Sequence, residues 1–303
     1  MSVTFPEIRI GDPIRHEGLA VFPVFAEPIR GVDYDLSDEA INKGTVTVEE
    51  VSEAGSVPDL SVENKGDVRI LFLEGEELVG AKQNRVLNTS VLIAAHTKSK
   101  IPVSCVEAGR WGYKSRRFGS GGTHSPSMLR RVLKASVSKS VRAKRGHRSD
   151  QGEVWEEVAR QQKALGAFSG TSAMSDTFEA HRKRLDEFRE KLHYVEGAVG
   201  AAVAVGGKVV TIDLFDKPTT CGRVWNRLLS GAMLDALEVR QAETQAERAD
   251  VERVMTSLRN LSWEPAEPIG EGEEYRAESP TGDHASALVF DGTLVHGSVV
   301  CAT

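Results

Sequence analysis

The sequence predicts an α+β fold, and three observations carry that expectation. Short Val- and Ile-rich runs separated by Gly, Pro, Asp and Asn fill the first 110 residues. Helical periodicity of useful length begins only near residue 126. After residue 196 the pattern returns to strands, with a Gly-Gly and an Asp-Gly pair placed as hairpin turns. We read a single α+β domain over 1–303: β-rich 1–110, a basic loop and helical segment 111–196, and a β-hairpin and helix part 197–303.

The expected strands of the first part are LAVFPVF (19–25), TVTVEEV (45–51), VRILFL (68–73), VLIAA (91–95) and IPVSCV (101–106). FGSGGTHS (118–125) reads as a flexible Gly/Ser-rich loop. SPSMLRRVLKASVSKSVRAKR follows as a basic amphipathic helix, with Ser125 as cap and Pro126 at the first helical position. A second helix starts from Asp150 as N-cap and ends near Gly166. GAFSGTSAMS is expected to be a mobile loop or lid, and a third, highly charged helix follows with Asp176 as cap. VGAAVAVGGKVVTIDLF forms two strands around Gly206-Gly207, GRVWNRLLSGAMLDALEVR an amphipathic helix, and 242–260 a further charged helix. The C-terminal segment closes with a hairpin at Asp291-Gly292.

Composition narrows the function classes. The 40% hydrophobic and 27% charged content is ordinary for a globular protein. The N-terminal residues lack the basic and apolar regions of a signal peptide, and no run of about 18 apolar residues exists to cross a membrane. Cys105, Cys221 and Cys301 are odd in number and show no CxxC spacing, which points away from disulfides and zinc and toward a reducing cytoplasm. The net charge of −6 conceals an asymmetry: Ala108–Ser149 holds twelve basic residues and no acidic one. Such a block suits phosphates or nucleic acid, or pairs with acidic residues of its own fold or of a partner subunit in a homo-oligomer.

LEGEELVGAKQNRVLNTS (73–90) is the main functional lead. The preceding strand is apolar on both faces, so a run into Glu74, Glu76 and Glu77 resembles a site at the end of a buried strand. Lys82, Gln83, Asn84, Arg85 and Asn88 supply directional groups for phosphate, carboxylate or sugar hydroxyls on both faces. The plain alternative is a solvated turn between two strands. In IPVSCVEAGRW (101–111), Cys105 and Glu107 share a strand face, as a nucleophile and base would. No histidine lies near Cys105, however, and a lone strand cysteine is usually core. Glu107 needs a cationic partner, which Arg110 or Lys82 could supply, and Trp111 suits stacking on a base or sugar as well as a core role. The carboxylates suit general acid–base hydrolysis or, with asparagine, a divalent cation such as Mg²⁺ or Ca²⁺. The cofactor is otherwise unknown, and the scattered histidines show no zinc spacing.

LEGEELVGAKQNRVLN, IPVSCVEAGRW, DQGEVWEEV, VVTIDLFDKP and the VWNRLL helix, in this order, resemble the mostly bacterial ARG and rhodanese-phosphatase-superfamily-associated protein (ARPP) family over about residues 10–240. The resemblance implies a link to ADP-ribosylglycohydrolases and phosphatase-like proteins, hence to NAD or ADP-ribose metabolism, without implying a reaction. It singles out the residues already named and, more weakly, Gln151, Trp155, Asp213 and Asp216.

Three functions are compatible with these features. The first is an enzyme, a hydrolase by its carboxylates, acting on a phosphorylated ribose or nucleotide-like small molecule. In it Lys82, Arg85 and Arg110 hold phosphate, Asn84 and Asn88 bind hydroxyls, and one of Glu74, Glu76, Glu77 or Glu107 is the acid or base. The second is a non-catalytic ligand-binding or sensor domain. The third is a nucleic-acid-associated protein using 108–149.

Overall fold

The computed structural model describes residues 3–27, 31–53, 58–239 and 244–302. Among them the chain is α+β, with eighteen strands and seven helices. No helix among these residues is long and apolar enough to cross a membrane. The chain forms two compact units: Met1–Val32 with His181–Ala266 and Glu273–Thr303, and Asp33–Ala180 with Glu267–Gly272.

The first unit opens with β1 (Ile8–Ile10), β2 (Ile14–His16) and β3 (Leu19–Ala26). The second unit follows, with β4 (Tyr34–Leu36), α1 (Ser37–Lys43), β5 (Val46–Glu50), β6 (Asp59–Asn64), β7 (Arg69–Phe72) and β8 (Glu76–Gly80). It continues through β9 (Arg85–Leu87), β10 (Val91–Ile93), β11 (Lys98–Cys105), β12 (Phe118–His124), α2 (Ser127–Arg142), α3 (Gln151–Leu165) and α4 (Met174–Ala180). The chain then returns to the first unit as α5 (Arg182–Lys191), β13 (Gly200–Val205), β14 (Lys208–Phe215), α6 (Pro218–Glu238) and α7 (Arg248–Arg259). Strands β15 (Glu264–Ala266), β16 (Glu273–Glu278), β17 (His284–Phe290) and β18 (Thr293–Val300) complete it.

In the first unit one antiparallel sheet runs β1-β3-β13-β14-β18-β17-β16-β15, with β2 added on β3. Two tight hairpins set its register. Gly206 and Gly207 (φ +60° and +84°) join β13 to β14, and Asp291 and Gly292 (φ +50° and +73°) join β17 to β18, both in the left-handed conformation such turns require. Phe22, Ile212, Val251 and Met255 lie in its buried core.

The second unit holds two sheets, β10-β7-β4 and β12-β8-β9-β11-β6-β5. Ile70, Leu71, Phe72, Val91, Leu92 and Ile93 are all within 1% of full burial, so β7 and β10 are covered on both faces. Each such side chain contributes about 1.5–3 kcal/mol of transfer free energy. On α2, Leu129, Leu133 and Val137 are buried together with Arg130 and Lys134, so the inner face of this helix is both apolar and cationic. Asp150 caps α3 by accepting from the backbone N–H groups of Gly152 and Glu153, and Gly166 ends it in the left-handed conformation.

Three local expectations change. Residues 118–124 form strand β12, paired with β8, rather than a flexible loop. A glycine-rich strand carries no hydrophobic alternation to announce it, yet glycine suits position 121. A Cβ at Gly121 would lie 3.0 Å from Glu77 Oε2, so a larger residue there would press on that side chain where the two strands close over it. Pro126 takes the cap position of α2, one residue later than expected. The third charged helix starts at Met174 and is broken at His181 (φ −108°, ψ 11°), giving α4 and α5 in place of one helix.

Candidate functional site

The 74–88 and 105–111 segments meet in the second unit. Gly75 (φ +81°) turns the chain between β7 and β8, so the strand stops at Phe72 and the glutamates begin a new one. Strand β9 then pairs with both β8 and β11, placing Leu78 opposite Arg85 and Arg85 opposite Cys105. Side-chain alternation therefore puts Leu78, Arg85 and Cys105 on one face of the sheet and Glu77, Val86 and Ser104 on the other.

Glu107 is the hub where the segments join. Its carboxylate accepts two hydrogen bonds from Arg110 (2.8 and 2.6 Å), one from the Asn84 backbone N–H (3.0 Å) and one from the Thr171 hydroxyl (2.8 Å). The Gln83 amide donates to the Glu107 carbonyl at 2.8 Å. Burial raises the Glu107 carboxyl, but the bonds from Arg110, Asn84 and Thr171 outweigh it and hold the group below its ordinary value. Arg110 also donates to the carbonyls of Gly80, Ala81 and Gly112 and to Asn84 Oδ1, so its fork is engaged within the protein. The 166–173 segment is tied into this network: Gly109 N–H donates to the Thr171 carbonyl and Met174 N–H to the Val106 carbonyl.

Arg85 is the most deeply enclosed cation of the predicted set. Its side chain is fully buried, and Nη1 donates to Gln83 Oε1 (3.0 Å) and lies 2.8 Å from Cys105 Sγ. Nη2 is 3.7 Å from Glu50 Oε1, and neither Arg85 Nε and Nη2 nor Glu50 Oε2 has a hydrogen-bond partner among the described residues. The Glu50 carboxylate also accepts from the Lys82 N–H at 3.4 Å. The Lys82 ammonium donates to the Glu53 carbonyl and sits 5.2 and 5.1 Å from the ring centres of Trp111 and Tyr113. Both rings are half exposed, at 51% and 54%. Glu50 and Tyr113 line an open cavity of about 810 Å³ with Ser52, Glu53, Lys114 and Arg116. Cys105 is a neutral thiol: burial pushes it up to about 11, more than Arg85 lowers it.

The three glutamates of 74–77 diverge. Glu74 pairs with Lys134 of α2 at 2.7 Å, with both side chains at 1% exposure or less. Glu76 accepts from the Ser37 hydroxyl at 2.9 Å. Glu77 accepts from the Thr123 hydroxyl at 2.6 Å, and its Oε1 has no partner among the described residues. Burial lifts Glu77 to about 7; the Thr123 bond opposes this, and the charges of Glu107 and Asp176 add to it.

Asn88 is engaged on both ends of its amide, donating to the His147 carbonyl and accepting from the Ser104 hydroxyl. Gln151 braces Cys105 from α3, accepting from its N–H and donating to its carbonyl, both at 2.8 Å. Trp155 is 38% exposed on α3. Asp213 and Asp216 belong to the first unit, where Asp213 lies 3.3 Å from His296 and Asp216 accepts from the Val32 N–H. Among the described residues no group of three or more His, Cys, Asp or Glu side chains is placed to hold a metal ion.

Sequence reasoning missed Glu50, Tyr113, Thr123, Lys134 and Thr171. Only Lys134 left a signal, as a charge among the apolar positions of an amphipathic helix. The family model for the ARG and Rhodanese-Phosphatase-superfamily-associated Protein domain matches residues 7–300, extending the 10–240 resemblance through the C-terminal strands. Comparison with curated proteins and with solved structures gave no match.

Proposed function

We propose, for a chain that belongs to the ARG and Rhodanese-Phosphatase-superfamily-associated Protein domain family, that the second unit binds and acts on a phosphorylated ribose or nucleotide-like small molecule at the Glu50 cavity. The observation that carries this reading is Glu50 itself. It lines the cavity, is anchored by Arg85 and the Lys82 N–H, and keeps Oε2 without a partner. That oxygen is enclosed in the unliganded protein, so in this proposal the Glu50 wall of the cavity opens on binding. The oxygen then accepts a ribose hydroxyl or takes a proton from water as general base. Tyr113 and Trp111 offer half-exposed faces for a base, and Lys114 and Arg116 offer cations for phosphate on a wall that also carries Glu49, paired with Arg117, and Glu53. Three free cysteines suit a reducing cytoplasm for such an activity.

Of the residues predicted from sequence, Trp111 keeps a binding role in this proposal, while Lys82 and the buried Arg85 position Glu50. Gln83, Asn84, Asn88 and Arg110 hold the walls, because their polar groups are engaged within the protein. A sensor without turnover is the second reading, favoured by one observation: Glu74 and Glu107 are held in ion pairs and Glu77 is closed in, so none of them lines the Glu50 cavity.

Calorimetric titration with ADP-ribose, ribose 5-phosphate and AMP tests both. Glu50→Gln should weaken binding by about tenfold or more, roughly 1.4 kcal/mol. Chromatography of the incubated mixture separates the two readings: product supports the enzyme, and binding without product supports the sensor. No binding by any of the three compounds removes both.

A further inference from the structure

A second cavity, of about 740 Å³, lies where α2 ends and α3 begins. Lys139, Lys144, Arg145 and Arg148 line it, all exposed, together with Asp150 and Glu153. None of the four cations forms an ion pair among the described residues, although the chain as a whole is acidic. Asp150 is engaged as the α3 cap through Oδ1. Lys139 lies in the last turn of α2 and complements the helix dipole, but Lys144, Arg145 and Arg148 lie beyond the helix end, where that effect has faded. The chain brings them together by a reversal: Lys144 and Gly146 take left-handed conformations (φ +55° and +70°), and the Arg145 N–H closes on the Ser140 carbonyl at 2.9 Å. Four cations against the two carboxylates Asp150 and Glu153 leave the concavity with a net positive charge, which favours an anion.

We infer that this cavity is a binding site for a compact soluble phosphate compound, separate from the Glu50 cavity. One phosphate carries a charge of about −2 at neutral pH, which matches the net charge of about +2 left by the four cations and the two carboxylates Asp150 and Glu153. A nucleic acid strand fits less well. Strand-binding grooves add aromatic faces on which bases stack, and no aromatic side chain lines this cavity. The basic block at 108–149 thus acquires a local role, with its cations gathered around a pocket.

Inorganic tripolyphosphate titrated into the full chain at constant salt tests this inference. The wild-type protein should bind one equivalent. Arg145→Glu/Arg148→Glu and the milder Lys139→Gln/Lys144→Gln should each weaken binding by about tenfold or more, while Glu50→Gln leaves it unchanged. The unliganded variants should melt at or above the wild-type temperature, since repulsion is relieved; a purely helix-capping role would lower it. Equal binding by wild type and both double variants overturns the inference. So does a single-stranded oligonucleotide that binds tighter than tripolyphosphate and displaces it.

Discussion

Arg85 Nη2 stands 3.7 Å from Glu50 Oε1, with the arginine side chain fully buried and that of the glutamate 3% exposed. The pair links the interior of the β8-β9-β11 sheet to a cavity, and it leaves a carboxylate oxygen without a partner. Removing one member of a buried ion pair strands the other charge, which costs about 3–5 kcal/mol. Arg85→Met should therefore destabilise the protein by about 3 kcal/mol in urea unfolding. Arg85→Met/Glu50→Leu should lose less than the sum of the single changes. Strict additivity would show that the two side chains do not interact.

Glu77 makes stability depend on pH in a direction opposite to most carboxylates. Burial first, then the charges of Glu107 and Asp176, raise it from 4.5 to about 7 against the bonds from Thr123 and the Ser175 backbone. The folded protein therefore holds a proton that the unfolded chain releases near 4.5. Stability falls as pH rises from 4.5 through 7, by about 3 kcal/mol from this group. Glu77→Gln should remove that slope and be the more stable protein at pH 8. A difference between wild type and variant that is constant from pH 5 to 8 contradicts the assignment.

Lys134 and Glu74 form a fully buried ion pair of the second unit, at 2.7 Å. Lys134→Met alone should cost about 3–5 kcal/mol, because the buried Glu74 carboxylate loses the Lys134 ammonium. Lys134→Met/Glu74→Leu should recover much of that loss. Chemical denaturation of the three proteins measures it, and a double variant weaker than the single one would sink this explanation.

Gly121 and Gly119 offer a paired test of strand β12. A Cβ at 121 would meet Glu77 Oε2 at 3.0 Å and its Cβ at 3.1 Å, whereas one at 119 meets nothing within 4 Å. Gly121→Ala should lower stability by about 1–3 kcal/mol. Gly119→Ala should stay within about 0.5 kcal/mol of wild type. Equal effects at the two positions would mean that β12 does not close over Glu77.

Cys105 should be chemically quiet. Its burial holds the thiol at about 11 despite Arg85, so little thiolate exists near neutrality. Iodoacetamide at pH 7 should leave it unmodified in the native protein, and Cys105→Ser should retain ligand binding. Rapid alkylation of this residue without unfolding would restore a nucleophilic role.

Much of the fold is legible in the sequence, because hairpin glycines, helix caps and Val-rich runs act locally. Asp150, Gly166, Gly206-Gly207 and Asp291-Gly292 all act through their own backbone or that of their neighbours. Strand β12 is not legible, since it lacks hydrophobic alternation and the side chain that crowds its Gly121, Glu77, lies on another strand. The same limit governs the site. The polar density of 74–88 and 105–111 is visible from spacing, and so is the need of Glu107 for Arg110. Which polar groups are engaged and which are available depends on partners distant in sequence, such as Thr123, Lys134, Thr171 and Glu50. A carboxylate at the end of an ordinary strand, as Glu50 is, carries no local mark of its role.

The most direct test of the ligand site is a crystal structure of the full chain soaked with ADP-ribose. The proposed reading expects the ligand in the cavity bounded by Glu50, Tyr113, Lys114 and Arg116, with a hydroxyl within hydrogen-bond distance of Glu50 Oε2. Ligand density elsewhere on the second unit, with that cavity holding only water, would contradict it.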